Sequence, residues 1–399
     1  MTRRLGTESS GGGAHLVPGL LAAGSIAASG FALAVPLGHG LQRIRVAVAP
    51  VPVGSGDAPP TSGSSASVSG ISVAIILGAA AGSVLRRSPA AWASIGPGLA
   101  FASSTALRVG IVCVGAKLSL AEAMRLGATG VPAVFATVGI GLASTMAFAR
   151  IAGLPPRLGA LIAGGTSICG VTAIMAIAPV IRATQAETAV AVANVVAFGT
   201  LGMLFFPFAA HAYFPTPEQA GMWLGLAVHD TAQVMGAGAA CAEICGDEAA
   251  LRAAAVTKLT RNLALAIVVP VLALQHGAVA SGGKALQLSH LKAALPLFVP
   301  GFVAMVLARS VGDWYVDADG PGADATVVER WQSLVYAVGS VAGAKVLLGT
   351  AMAAVGMQMS LDKLKGLGVR PFAVGMSAAV VVASVGAVAA TAVGRREHE

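Results

Sequence analysis

Apolar stretches of about twenty residues recur along nearly the whole chain, and no other feature restricts its fold so tightly. They lie near residues 16–36, 71–85, 99–119, 130–149, 158–180, 188–208, 220–240, 253–274, 291–308, 331–357 and 371–393. Most are close to the ~20 residues a helix needs to cross a bilayer. Inside the hydrocarbon no water satisfies the backbone, so a spanning segment must be a helix or a strand of a closed barrel. The runs are long and lack a period of two, which does not fit a barrel. Only 11% of the 399 residues are charged, against about a quarter in soluble domains. The expected fold is all-α: a polytopic transmembrane helix bundle of about 10–11 spans.

Three regions follow from the hydropathy. Residues 1–49 hold a polar segment with Arg3 and Arg4 and then a first apolar helix. That helix is longer than the apolar part of a signal peptide, so it is read as uncleaved. Residues 50–70 are rich in Gly, Ser and Pro and read as a flexible linker. Residues 71–399 are read as one membrane domain that holds the remaining apolar segments. The net charge of +8 reflects Lys and Arg in short connections, an orientation signal and not a nucleic-acid footprint. Alternating the spans gathers Arg86, Arg87, Arg150, Arg157, Lys284, Lys292, Lys363, Lys365 and Arg370 on one side with the N-terminus. Acids collect on the other, among them Glu187, Glu243, Asp247, Glu248 and Asp313. The basic side is then cytoplasmic.

The words Val114-Gly115-Ala116-Lys117-Leu118-Ser119-Leu120 and Val355-Gly356-Met357-Gln358-Met359-Ser360-Leu361 match. They end the third and tenth segments, which run in opposite directions on this count. Opposed copies mark inverted-repeat transporters, whose sites lie near the midplane between the repeats, often at broken helices.

Four polar clusters fall within apolar segments. Ala163–Ile174 carries Gly164, Gly165 and Gly170 with Thr166, Ser167, Cys169 and Thr172. A helix that starts afresh near Thr166 or Ser167 would present free N–H groups and the positive end of its dipole to an anion. His229 and Gln233 are four apart, so a helix places them on one face, with Asp230 beside them. A histidine next to an aspartate suits proton coupling. Lys258, Arg261 and Asn262 also share a helical face, and cations that deep are functional candidates by default. Arg108, Lys117 and Lys345 offer a charge partner for Asp230. Cys241 and Cys245 read as two loose thiols in a connection, with no further Cys/His pair to complete a metal site.

No nucleotide-binding, metalloprotease or nucleophile-elbow motif occurs. The chain is therefore not expected to be an enzyme or to carry a cofactor or metal. The motifs Leu107–Ile111, Gly165–Gly170, Ala227–Val234 and Lys258–Arg261, in that order, resemble the YeiH family, polytopic bacterial-type proteins named as sulfate exporters. That family is in turn similar to cation/proton antiporters and bile-acid-type symporters with inverted repeats. The resemblance implies a multi-pass protein, of the plasma membrane or an organelle inner membrane, that moves a small anion.

The combined expectation is a proton-coupled oxyanion transporter. Gly165, Thr166, Ser167, Cys169, Gly170, Gln233, Lys258 and Arg261 would bind substrate, and His229 and Asp230 would couple protons. Its partners are a small anion, the bilayer and a second copy of the chain as a candidate. The alternatives are a Na⁺-coupled carrier of an organic anion, with unwound carbonyls near Gly164 and Gly165 holding the ion, and a non-transporting membrane protein. One conflict stands in the count. The broken fifth and seventh segments run parallel, so either one of them is a re-entrant hairpin or the count is wrong.

Overall fold

The computed structural model describes residues 15–47, 69–276, 298–318, 325–359 and 368–398. The linker, Lys284, Lys292, Lys363 and Lys365 lie outside the described residues or almost entirely so. No strand occurs among the described residues. The chain runs through α1 (Val17–Ala47), α2 (Gly70–Leu85), α3 (Pro89–Phe101) and α4 (Leu107–Val114), then α5 (Leu120–Ile151), α6 (Pro156–Ser167), α7 (Val171–Val180) and α8 (Gln185–Tyr213). It continues as α9 (Pro217–Ala227), α10 (Thr231–Cys245), α11 (Ala249–Leu263) and α12 (Leu265–Gln275), and ends with α13 (Phe298–Ala318), α14 (Ala325–Val335), α15 (Gly349–Gln358) and α16 (Val369–His398). Among the described residues, seven stretches are long and apolar enough to cross a membrane. The chain is a multi-pass integral membrane protein.

Helix starts follow from local chemistry. Ser69, Ser88, Ser119, Thr184 and Thr216 each accept a first-turn N–H with the side-chain oxygen, which satisfies one of the four orphan donors of a helix start. Pro89, Pro156 and Pro217 stand in first turns, where a missing N–H costs nothing.

Direction can be traced through the packing. Glu122 at the start of α5 pairs with Arg252 near the start of α11, and Arg125 pairs with Glu218 near the start of α9. These helices therefore begin at one face. The α5 C-terminus meets the α6 N-terminus and the α12 C-terminus at the other face, around Arg150, Pro156 and His276. On the first face Lys117, Arg125, Arg252 and Arg309 are each paired with an acid. The second face carries Arg86, Arg87, Arg150, Arg157, Arg182 and Arg370, with Glu187 as its one acid among the described residues. The positive-inside rule assigns this arginine face to the cytoplasm.

The segments near 158–180 and 220–240 do not cross. Ile177 on α7 packs against Gly164 on α6, and Ile174 against Gly165. A collinear pair of helices would hold residues 164 and 177 about 20 Å apart, at 1.5 Å per residue. So α6 enters from the arginine face, turns at Ile168–Gly170, and α7 returns to the same face. In the second hairpin Gly221 and Gly225 of α9 pack on Ala250 and Ala254, and Gly238 of α10 packs on Leu251 and Ala254. α9 descends beside α11, turns at Val228–Asp230, and α10 comes back. The two hairpins enter from opposite faces and meet tip to tip. Both broken segments are thus re-entrant, which removes the conflict in the count. It also moves Glu187 to the arginine face, correcting its expected side.

The two spans that lead into the repeated words run in opposite directions, as the inverted reading expects, with Ser360 and Leu361 outside the described residues. α3 passes into α4 through π-helical turns at Ala102–Ala106, and α14 into α15 through a π-helical run at Tyr336–Leu348. Gly110 packs on Leu347, Gly343 on Cys113, and Gly339 on Lys117, so the two spans are antiparallel. Gly312 and Asp313 lie within α13, where Asp313 accepts from Arg309 and Trp331.

In a cysteine-free background, Arg157→Cys and Thr184→Cys should react with a membrane-impermeant thiol reagent from one side only. Pro215→Cys and Asp247→Cys should react from the other. Labelling of 157 and 184 from opposite sides would mean that α6 and α7 cross the membrane.

Candidate functional site

Two helix breaks at the centre of a membrane leave many backbone groups without partners. α6 ends at Ser167 and α7 begins at Val171, with Gly170 between them at φ +69. A Cβ there would stand 2.6 Å from Asp230 Oδ2 and 2.7 Å from Asp230 Cα, so Gly170 is demanded both by backbone conformation and by the other tip. The new helix therefore starts four to five residues later than expected. Thr166 and Ser167 belong to the C-terminal turn of α6.

Lys258 and Arg261, both fully buried on α11, fill the gap beneath the tips. Lys258 Nζ donates to Ile168 O at 3.0 Å, Val228 O at 3.1 Å and His229 O. Arg261 Nε donates to Ser167 O at 2.7 Å and Nη2 to Thr166 O at 2.5 Å, while Nη1 reaches Gly225 O, Leu226 O and Val228 O. These acceptors are the C-terminal carbonyls of both entering arms, where the dipole is negative. A cation at the bilayer centre costs roughly 2.5–3.5 kcal/mol on insertion scales. Hydrogen bonds to a charged group return about 1.5–3 kcal/mol each, and Lys258 makes three. The carbonyls win, and the two cations pin the hairpins together.

The returning arms present the opposite polarity. Asp230 is the N-cap of α10, its Oδ1 accepting from Ala232 N at 2.9 Å. Its Oδ2 accepts from Val171 N, the first N–H of α7, at 3.3 Å. One carboxylate thus bridges two helix N-termini. The thiol of Cys169 lies buried in the break between them. Val171, Thr172, Asp230, Thr231 and Ala232 are partly exposed, whereas residues 163–170 and 224–229 are buried. The accessible side of the junction is therefore the N-terminal side. Lys258 and Arg261 lie behind the one carboxylate of the junction, that of Asp230. With Lys258 and Arg261 protonated, Asp230 ionised and His229 neutral, the cluster sums to one net positive charge.

Polar groups without partners gather at this depth. Both ring nitrogens of His229, the hydroxyls of Ser167 and Thr137, and the Asn262 amide are buried and unbonded. Ser167 Oγ lies against Gly141, one helical turn from Thr137 on α5.

The residues expected to bind substrate or to couple protons lie at or beside the two tips, but several play other parts. His229 lies in the break and Gln233 in the first turn of α10, so they do not share a helical face. Gln233 is spent internally: Oε1 accepts from Asp230 N, and Nε2 donates to Val196 O and Thr200 Oγ1. None of the expected partners reaches Asp230. Lys117 pairs with Glu248 at 2.6 Å, and Arg108 and Lys345 are exposed. Thr231 was not singled out in the sequence. The signal for it is positional, since Thr172 and Thr231 are each the hydroxyl residue in the first turn of a returning arm.

Replacing Arg261 by Leu should lower stability by about 3 kcal/mol or more, because several buried carbonyls lose their donor. Thermal unfolding in detergent reads it. Arg261→Lys should recover only part, since a point charge cannot serve both hairpins as the guanidinium fork does. Full recovery by lysine would contradict the pin.

No solved structure matches the chain. Residues 59–375 match the family model described as Conserved hypothetical protein 698. A UPF0324 membrane protein of Ralstonia nicotianae is 34% identical over 318 residues, covering 76% of this chain and 80% of that one. One from Corynebacterium glutamicum is 32% identical over 321 residues, covering 80% and 84%. The UPF0324 membrane protein TauZ of Paracoccus pantotrophus is 32% identical over 294 residues, covering 72% and 78%. The chain belongs to the UPF0324 membrane proteins, the YeiH family that its four motifs resemble.

Proposed function

We infer that this protein is a secondary transporter of a small oxyanion, with sulfate as the first candidate, and that the substrate binds at the N-termini of α7 and α10. The observation that carries this reading is the charge arrangement. Two buried cations stand behind one carboxylate, and two helix N-termini open on the same accessible side. An anion there is favoured by both dipoles and by the residual positive charge. Lys258 and Arg261 act through their field, since their donors are committed to carbonyls. Thr172 and Thr231 supply hydroxyl donors at the mouth, and the substrate competes with the Asp230 carboxylate for the N–H of Val171.

Charge balance gives the coupling. With His229 neutral the cluster holds one positive charge, and with His229 protonated it holds two. A dianion bound with one proton on His229 makes the loaded site neutral, which lowers the cost of moving it through the bilayer. A bound anion beside the imidazole also favours its protonated form. The Na⁺ alternative is less well supported, because the carbonyls that would hold the ion already accept from Lys258 and Arg261.

Purified protein in liposomes should take up labelled sulfate in a saturable way. Uptake should be indifferent to replacing Na⁺ by K⁺ and should rise as the pH of the loading side falls. His229→Gln should flatten the pH profile. Thr172→Val and Thr231→Val should each weaken apparent affinity roughly 10-fold to 100-fold, the value of one hydrogen bond to a charged group. Uptake of an organic anion that requires Na⁺ would favour the rival carrier.

A further inference from the structure

Cys241 and Cys245 occupy successive turns of α10, in the outer part of the second hairpin, and not a connection as the sequence suggested. Their sulfurs are 3.6 Å apart. His211, near the end of α8, brings Nδ1 to 3.5 Å from Cys245 Sγ. A tetrahedral site with metal–sulfur bonds near 2.3 Å and metal–nitrogen bonds near 2.05 Å has edges of about 3.8 Å between sulfurs and about 3.5 Å between sulfur and nitrogen. Both contacts have close to those lengths. Among the described residues no three such side chains already surround a single metal-sized point; here two edges are formed and the Cys241–His211 edge is the one left to close.

The elements allow that closure. His211 is exposed and lies in the last turn of α8, two residues before the helix ends at Tyr213. Cys245 is the last residue of α10, whose end is capped by Gly246 in the left-handed conformation, so the closing movement falls to the exposed His211 side chain. Cysteines at i and i+4 lie on one helix face, which suits two ligands of one ion. A disulfide fits less well, because it needs β-carbons about 3.5–4.5 Å apart and helical neighbours at this spacing stand about 5–6 Å apart.

We propose that Cys241, Cys245 and His211 form a binding site for a thiophilic d¹⁰ cation such as Zn²⁺, with the fourth position left to solvent. The ion would tie the returning arm of the second hairpin to α8 at the face opposite the arginine face. This site is separate from the hairpin tips and does not depend on the transport reading.

The test uses the reduced full-length protein in detergent, with Zn²⁺ titrated against a chromophoric chelator and thermal unfolding followed with and without the ion. One equivalent should bind and raise the unfolding temperature, as any ligand of the native state does. Cys241→Ser and Cys245→Ser should each abolish the bound equivalent, and His211→Gln should weaken it at least 10-fold. All three variants should unfold like the wild type in the absence of metal. Retention of the equivalent by the double serine variant would overturn the proposal, as would affinity unchanged by His211→Gln. So would the absence of binding to wild type.

Discussion

Everything at the centre of this protein depends on how four helix ends are satisfied where there is no water. A helix that stops in mid-membrane leaves carbonyls with no partner and a partial negative charge; one that starts there leaves N–H groups and a partial positive charge. Two hairpins meeting tip to tip place two of each side by side. Arg261 and Lys258 take the carbonyl ends, and Asp230 takes the N–H ends. Each polarity is met by the opposite charge, and the same residues hold two otherwise separate elements together.

The compensation is unequal, and the proposed anion site rests on that inequality. Two full positive charges against one full negative charge leave an excess that the helix dipoles, two of each sign, do not remove. A buried excess charge is costly, and the proposed remedy is a soluble anion on the side where Asp230, Thr231 and Thr172 are partly exposed. The unbonded His229 ring sits at the same junction, the place the proposed coupling gives to the proton. The surrounding spans give the hairpins a frame. Antiparallel α4 and the π-helical run before α15 pack through Gly110, Gly339 and Gly343. On the face opposite the arginines, Glu248 joins the α10–α11 turn to Lys117, and Glu243 accepts from Gly70 N at the start of α2.

Much of this was legible in the sequence. Charges inside apolar runs have few physical excuses, so Lys258, Arg261, His229 and Asp230 identify the centre without a structure, and the repeat between Val114–Leu120 and Val355–Leu361 gives the antiparallel spans. What periodicity cannot show is a reversal of direction. A hairpin of 12 and 10 residues, α6 and α7, has the same hydropathy as one span, and the contact of Gly164 with Ile177 is non-local. The roles of the cations were hidden for a similar reason. Their acceptors are backbone carbonyls, which leave no mark on side-chain identity. His211 joins Cys241 and Cys245 only because α8 and α10 run side by side.

The central claim is that Asp230 offsets only half of the positive charge of Lys258 and Arg261, which leaves one positive charge at the tips. Equilibrium binding of sulfate to Asp230→Asn measures it most directly, because asparagine still caps α10 while removing the competing charge. The account predicts tighter binding than wild type, roughly 10-fold or more for about 1.4 kcal/mol of relieved repulsion. Binding that is weaker than wild type, or restored only by Na⁺, would contradict it.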